Sequence, residues 1–151
     1  ESVNLNYNID NILKIYKKTL TLNKLISKEI GKDLMFSYKR ASNIIYNELK
    51  NSKIELSGSA DPGLFKNEFE KTLYKKIHEI RKDFTHIGKD EDYEGILKTL
   101  SLARKEVNEF FDNVIVNDQD ELIKKNRLEL LQMLCKTFDN YLNFSKVESI
   151  Q

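Results

Sequence analysis

Apolar residues recur at intervals of three and four along almost the whole chain. This spacing places them on one side of an α-helix, and no segment shows the strict alternation that is typical of a half-buried strand. The 151 residues include only one proline and five glycines, which leaves few turns for a sheet. The pattern therefore predicts an all-α fold, a helix bundle of about five helices joined by short connections.

The predicted helices follow from where the apolar spacing starts and stops. Asp61 and Pro62 suit the N-cap and first position of the third helix, and Asp118 with Glu121 resembles a capping box for the last. The segment 51–62 is the only candidate hinge. The five predicted stripes lie within residues 9–20, 34–49, 65–87, 93–114 and 122–142.

Composition excludes several classes of protein. With 40% hydrophobic and 32% charged residues, the chain resembles a globular protein and not a disordered tail. No apolar run is long enough to cross a membrane, so no membrane association is predicted. A single cysteine cannot form an internal disulfide, which suits the cytoplasm. Because the sequence begins with Glu1, we expect residues 1–151 to be one helical domain, a fragment of a larger protein.

Positive charge is concentrated in one part of the sequence. The net charge is +1, yet residues 14–53 contain ten basic and three acidic residues, a difference of +7. Such a patch is typical of a surface that binds a polyanion. The codons of an AT-rich genome would also favour lysine, so the excess of lysine has a second explanation. Within the patch Arg40, Asn43 and Asn47 share one helix face, and Lys39 is adjacent. This face either binds nucleic acid or is simply solvated.

No pattern predicts catalysis. Glycine-rich phosphate loops and paired cysteines are absent from the sequence, so neither a catalytic residue nor a metal site is predicted. His78 and His86 lie eight residues apart, too far along a helix to share an ion by themselves. Cys135 lies among leucines, and we expect a buried thiol and not a nucleophile.

Arg127 is the one charged residue that falls on the apolar stripe of the last predicted helix. A buried guanidinium needs an acceptor, and Asp112 is the predicted partner in a structural ion pair. The alternative is that Arg127, next to Asn126, contacts RNA at the edge of a cleft. Of the two neighbouring phenylalanines, Phe111 fits the apolar stripe, which leaves Phe110 as the candidate for stacking on RNA bases.

Several motifs together resemble one family. The runs at residues 110–121 and 126–131, beginning Phe-Phe-Asp-Asn-Val and Asn-Arg-Leu, resemble the C-terminal end of bacterial glycyl-tRNA synthetase β subunits. The runs at 38–44, 61–65 and 70–74 match in the same order and spacing. The resemblance covers about residue 8 to residue 147 and implies a DALR-like anticodon-binding domain.

The resemblance also implies partners and site residues. In this family the β subunit binds tRNA and assembles with an α subunit, as a heterotetramer, and the α subunit carries the centre that uses ATP and glycine. This chain would need no cofactor and would bind the anticodon loop of tRNA(Gly). The alternatives are a helical protein–protein adaptor and the anticodon-binding domain of an arginyl-tRNA synthetase. The predicted tRNA-binding residues are Lys39, Arg40, Asn43, Asn47, Phe110, Asn126 and Arg127.

Overall fold

The computed structural model describes residues 28–86 and 93–142 of the chain. This part is all-α, as predicted, and contains five α-helices and one 3₁₀ turn. The helix predicted within residues 9–20 lies outside the described residues. The helices are α1 (Glu29–Leu49), α2 (Glu68–His86), α3 (Tyr93–Ser101), α4 (Arg104–Asn113) and α5 (Glu121–Leu142), with the 3₁₀ turn at Pro62–Leu64 between α1 and α2.

Helix α5 forms the centre of the bundle. It packs against α1, α2 and α3, and all six residues from Asn126 to Leu131 are buried. A helix with only one buried side would not bury six consecutive residues, so this part of α5 is surrounded by its neighbours. Its apolar side chains account for a large part of the hydrophobic core.

Helix α1 packs against α5 along one side only. Leu34, Tyr38 and Ala41 are buried there, at the spacing of one helix face. The Tyr38 hydroxyl donates to both carboxylate oxygens of Asp139 on α5, at 3.0 and 2.9 Å. The opposite side of α1 is left facing solvent.

The helix predicted within residues 93–114 is interrupted. It divides into α3 and α4 at Leu102 and Ala103, whose N–H groups donate to carbonyls three residues earlier. The hydroxyls of Thr99 and Ser101 also donate to carbonyls of the preceding turn. These local bonds interrupt the regular α-helical pattern. The break itself contains neither proline nor glycine, so the sequence does not mark it.

Two predicted helix starts are also displaced. Asp61 does accept a hydrogen bond from Gly63 N–H (2.9 Å), but it caps only the 3₁₀ turn. Helix α2 begins later, where Asn67 and Glu70 each accept from the other's backbone N–H in a capping box. At the start of α5 the cap is Asp120, which accepts from Leu122 N–H (2.9 Å).

The predicted hinge segment is fastened to α5. Glu129, 2% exposed, accepts hydrogen bonds from the N–H groups of Ser57 and Gly58, the latter at 2.7 Å. Farther along, Ala60 N–H lies 3.3 Å from the sulfur of Met133. Residues 57–61, called the strap below, therefore run along α5 with several of their backbone N–H groups bound to its side chains.

Candidate nucleic-acid interface

The solvent-facing side of α1 combines aromatic, amide and cationic side chains. Phe36 is 67% and Tyr46 68% exposed, and Arg40, Asn43 and Asn47 are exposed between them. The positions 36, 40, 43 and 47 follow the helical repeat, so these side chains project from the same side. The α1 face is defined here as Phe36, Lys39, Arg40, Asn43, Tyr46 and Asn47.

Two acidic residues of α1 are engaged by basic residues of other helices. Asp33 pairs with Arg104 of α4 at 2.6 Å, and Glu48 pairs with Lys124 of α5 at 2.9 Å. Glu48 also raises the pKa of Lys124, chiefly through their hydrogen bond. Neither carboxylate pairs with Arg40, whose positive charge suits a polyanion.

Arg40 differs from the other three arginines of the chain. Arg81, Arg104 and Arg127 all donate to or pair with oxygen atoms of the protein. Within residues 28–86 and 93–142, Arg40 makes no hydrogen bond or ion pair; its guanidinium carbon lies over the Phe111 ring, 4.5 Å from the centroid. Its N–H donors are therefore available to a ligand.

The two phenylalanines near the end of α4 differ in their exposure. Phe110 is 0% exposed, so the prediction that it stacks on RNA is wrong. Phe111 is half-buried and meets Phe110 edge-on, with 5.9 Å between ring centroids. The break before α4 explains the error, because the inward spacing along α4 is Val107, Phe110 and Val114.

Asn126 is placed differently from the prediction as well. It is 4% exposed, and its side chain accepts from Asp61 N–H (2.7 Å) and donates to Asp61 C=O (3.0 Å). Both polar ends of the amide are thus bound to the strap. The prediction that Asn126 contacts tRNA is contradicted, because the side chain is enclosed and already satisfied.

Arg127 forms a buried structural ion pair, which was one of the two predictions for this residue. Its predicted partner, Asp112, is wrong. It is 7% exposed and pairs with Glu70 of α2 at 2.6 Å. It also donates to the carbonyl of Ile115 (2.6 Å) and lies 3.2 Å from Asp118. Asp112 is exposed on α4. Burial and these three acceptors leave Arg127 no surface with which to contact RNA.

A groove of about 550 Å³ separates α1 from α5 near the α1 face, and Tyr46 and Cys135 line it. The Cys135 sulfur lies 3.7 Å from the Ser42 hydroxyl, and burial raises the pKa of the thiol from 9.0 to about 11. The prediction of a buried thiol is therefore confirmed, and the raised pKa favours its protonated form near neutral pH.

Within residues 28–86 and 93–142, no group of three His, Cys, Asp or Glu side chains is placed to hold a metal ion. His78 is exposed and meets Tyr74 edge-on at 4.4 Å, whereas the side chain of His86 lies outside the described part. None of the helices described is long and apolar enough to cross a membrane.

A helical bundle that presents aromatic, amide and cationic groups on one exposed helix has the composition of an RNA-binding module. The sequence pattern of the DALR anticodon binding domain matches residues 34–151, which is most of the chain. The chain therefore belongs to the DALR anticodon-binding domain family, as the resemblance implied, and not to an unrelated class of helical adaptors.

Several curated relatives of this chain have the same name. The chain is 36% identical to the glycine–tRNA ligase β subunit of Rickettsia prowazekii (strain Madrid E) over 137 residues, 91% of this chain and 20% of the relative. It is 34% identical to the corresponding subunit of Rickettsia canadensis (strain McKiel) over 143 residues, 95% of this chain and 20% of the relative. The chain thus spans about a fifth of the length of these relatives.

Proposed function

We propose that this chain is the anticodon-binding part of a glycine–tRNA ligase β subunit and that it binds the anticodon loop of tRNA(Gly). In this proposal it orients the tRNA, while an α subunit carries out the ATP-dependent aminoacylation in the cytoplasm. The proposal rests on the family match together with the relatives' name. The chain's own role is binding, and no bond is made or broken on it.

The α1 face is the observation that carries the proposal. Single-stranded RNA exposes base faces and base edges that a duplex hides. Phe36 and Tyr46 offer rings for stacking, and the Asn43 and Asn47 amides can both donate to and accept from base edges. The cationic groups attract the phosphates without regard to sequence.

A binding titration tests the proposal directly. The full 151-residue chain is titrated against two fluorescent hairpins with the same stem, one with the tRNA(Gly) anticodon loop and one with an unrelated anticodon. We expect tighter binding to the glycine loop and a steep loss of affinity between about 50 and 200 mM salt. Equal affinity for both hairpins contradicts specific recognition, and no binding contradicts the proposal altogether.

A matched pair of variants localises the binding surface. Arg40→Ala and Lys82→Ala each remove one exposed positive charge, the first from the α1 face and the second from α2. We expect Arg40→Ala to weaken hairpin binding about tenfold or more and Lys82→Ala to change it much less, because only the first removes a contact. Equal losses would mean that binding depends on overall charge and not on the α1 face.

A further inference from the structure

The contact between Arg40 and Phe111 suggests how a base is held. We propose that Phe111 positions the Arg40 guanidinium as a flat, cationic platform on which one unstacked nucleobase of the RNA loop stacks. Phe111 is then a positioning residue that acts through Arg40. This inference rests on the proposed function and adds to it a role for Phe111 and a mode of contact for Arg40.

The Phe111 ring is supported by the core. It lies near the end of α4 and meets Phe110 edge-on, with centroids 5.9 Å apart. Phe110 is fully enclosed in the core, at 0% exposure. A ring supported by a core residue has little freedom to turn, so the surface it offers to Arg40 is constant.

The guanidinium of Arg40 lies over that ring. Its carbon stands 4.5 Å from the ring centroid, within the range of a cation–π contact. Arg40 as a whole remains exposed on α1, so the contact with Phe111 leaves part of its surface open. Guanidinium planes are among the groups on which unpaired RNA bases stack.

Arg40 has no oxygen acceptor in the described part of the protein. The guanidiniums of Arg81, Arg104 and Arg127 join helices through oxygen acceptors. Arg40, in contrast, uses none of its donors within the described residues. An exposed arginine that packs against a ring yet is bonded to no acceptor keeps its N–H donors and its open surface for a ligand.

The consequence for affinity comes from preorganisation. A long, exposed side chain loses rotamer freedom when it binds, and part of that loss has already occurred where Phe111 holds Arg40. Lysine at the same position would keep the charge but lack the plane, so the exchange is not conservative at a stacked site.

A double-mutant cycle on hairpin affinity tests the positioning role. Phe111→Leu removes the ring and keeps an apolar side chain, and we expect it to weaken binding of the glycine anticodon hairpin about two- to tenfold. In the Arg40→Ala background, Phe111→Leu should cause no further loss. Phe111→Tyr, which retains a ring, should bind like the unsubstituted chain. Equal losses from Phe111→Leu in both backgrounds overturn the inference.

Two measurements keep the inference falsifiable should Phe111→Leu fail to fold. Arg40→Lys should bind several-fold more weakly than the unsubstituted chain, and full retention of affinity overturns the platform. Replacing loop nucleotides one at a time with abasic ones should reveal a position whose loss weakens binding to the unsubstituted chain but not to Arg40→Ala. If no position behaves so, no base stacks on Arg40. Absence of any hairpin binding by the unsubstituted chain overturns the proposed function, and this inference with it.

Discussion

Helix α5 and the α1 face contain the same kinds of polar residue in opposite settings. Asn126 and Arg127 on α5 are buried, and their polar atoms are bound to protein atoms. Asn43 and Arg40 on α1 are exposed, and within the described residues they have no hydrogen-bond partner. The comparison shows that residue type alone only suggests which side chains could contact a nucleic acid. Whether a side chain is available depends on its burial and on the partners it already has.

The two settings follow from the position of each helix. Because residues 126–131 of α5 are buried, the polar groups of Asn126, Arg127 and Glu129 need partners inside the protein, or their burial would be unfavourable. Glu70 and the strap supply such partners, and they link α5 to the chain on either side of the 3₁₀ turn. Helix α1 is covered on one side only, so its outer residues are under no such requirement.

The largest expected effect comes from breaking the buried pair. Arg127→Ala leaves the Glu70 carboxylate, 1% exposed, without its cation, and should lower the free energy of unfolding by about 3–5 kcal/mol. Arg104→Ala is the control, since its pair with Asp33 is exposed and should contribute about 0–1 kcal/mol. Urea unfolding measures both variants. A small effect for Arg127→Ala would mean that the pair does not hold α5 to α2.

Removing the amide of Asn126 tests the same region more mildly. Asn126→Ala leaves the N–H and C=O of Asp61 without their partners and should lower stability by about 1–3 kcal/mol. The control is Asn140→Ala, which removes an exposed amide from the same helix. Hairpin affinity should be unchanged for whichever variants fold. A selective loss of RNA binding by Asn126→Ala would restore the rejected role for this residue.

On the α1 face the effect should appear in binding and not in stability. Phe36→Ala removes a ring that is 67% exposed, so unfolding should change by no more than about 0.5 kcal/mol. Hairpin binding should weaken by about 1–3 kcal/mol, the usual contribution of one stacked base. Leu122→Ala, 63% exposed on α5, is the matched control. Equal affinities of the two variants would contradict stacking on Phe36.

The smallest expected effect is a dependence of stability on alkaline pH. Burial raises the pKa of Cys135 from 9.0 to about 11, and burial with the nearby Asp139 also raises the pKa of Tyr38. Both groups are neutral when protonated, so their contributions are complete below their ordinary pKa values and decrease as pH rises through the raised ones. The free energy of unfolding should therefore fall above about pH 9, and less steeply in Cys135→Ala.

Much of the fold could be predicted because it depends on local spacing. The apolar repeat correctly indicated α1, α2 and α5, and the polar repeat at 40, 43 and 47 correctly indicated an outward face. The break between α3 and α4 could not be read in the same way. It depends on i to i−3 bonds and on hydroxyl groups that replace backbone partners, with no proline or glycine to mark it.

The site was predicted less completely, because the placement of its residues depends on partners that are distant in the sequence. Glu70 lies 57 residues before Arg127, so no local pattern could choose it over Asp112. The break before α4 shifted the inward positions, so Phe110 is enclosed although the sequence pattern left it as the candidate for stacking. Phe36 was missed, although a signal existed: it lies off the apolar stripe of α1 and extends the polar repeat to 36, 40, 43 and 47.

The strap has a consequence for recognition. Because Glu129 and Asn126 bind the backbone of the strap, this part of the connection between α1 and α2 is held against α5. In the proposed complex the loop would meet a surface whose outline is set before contact. The entropy lost on association would then fall mainly on the nucleotides, and the conformational freedom of the anticodon loop would govern how fast the two molecules join.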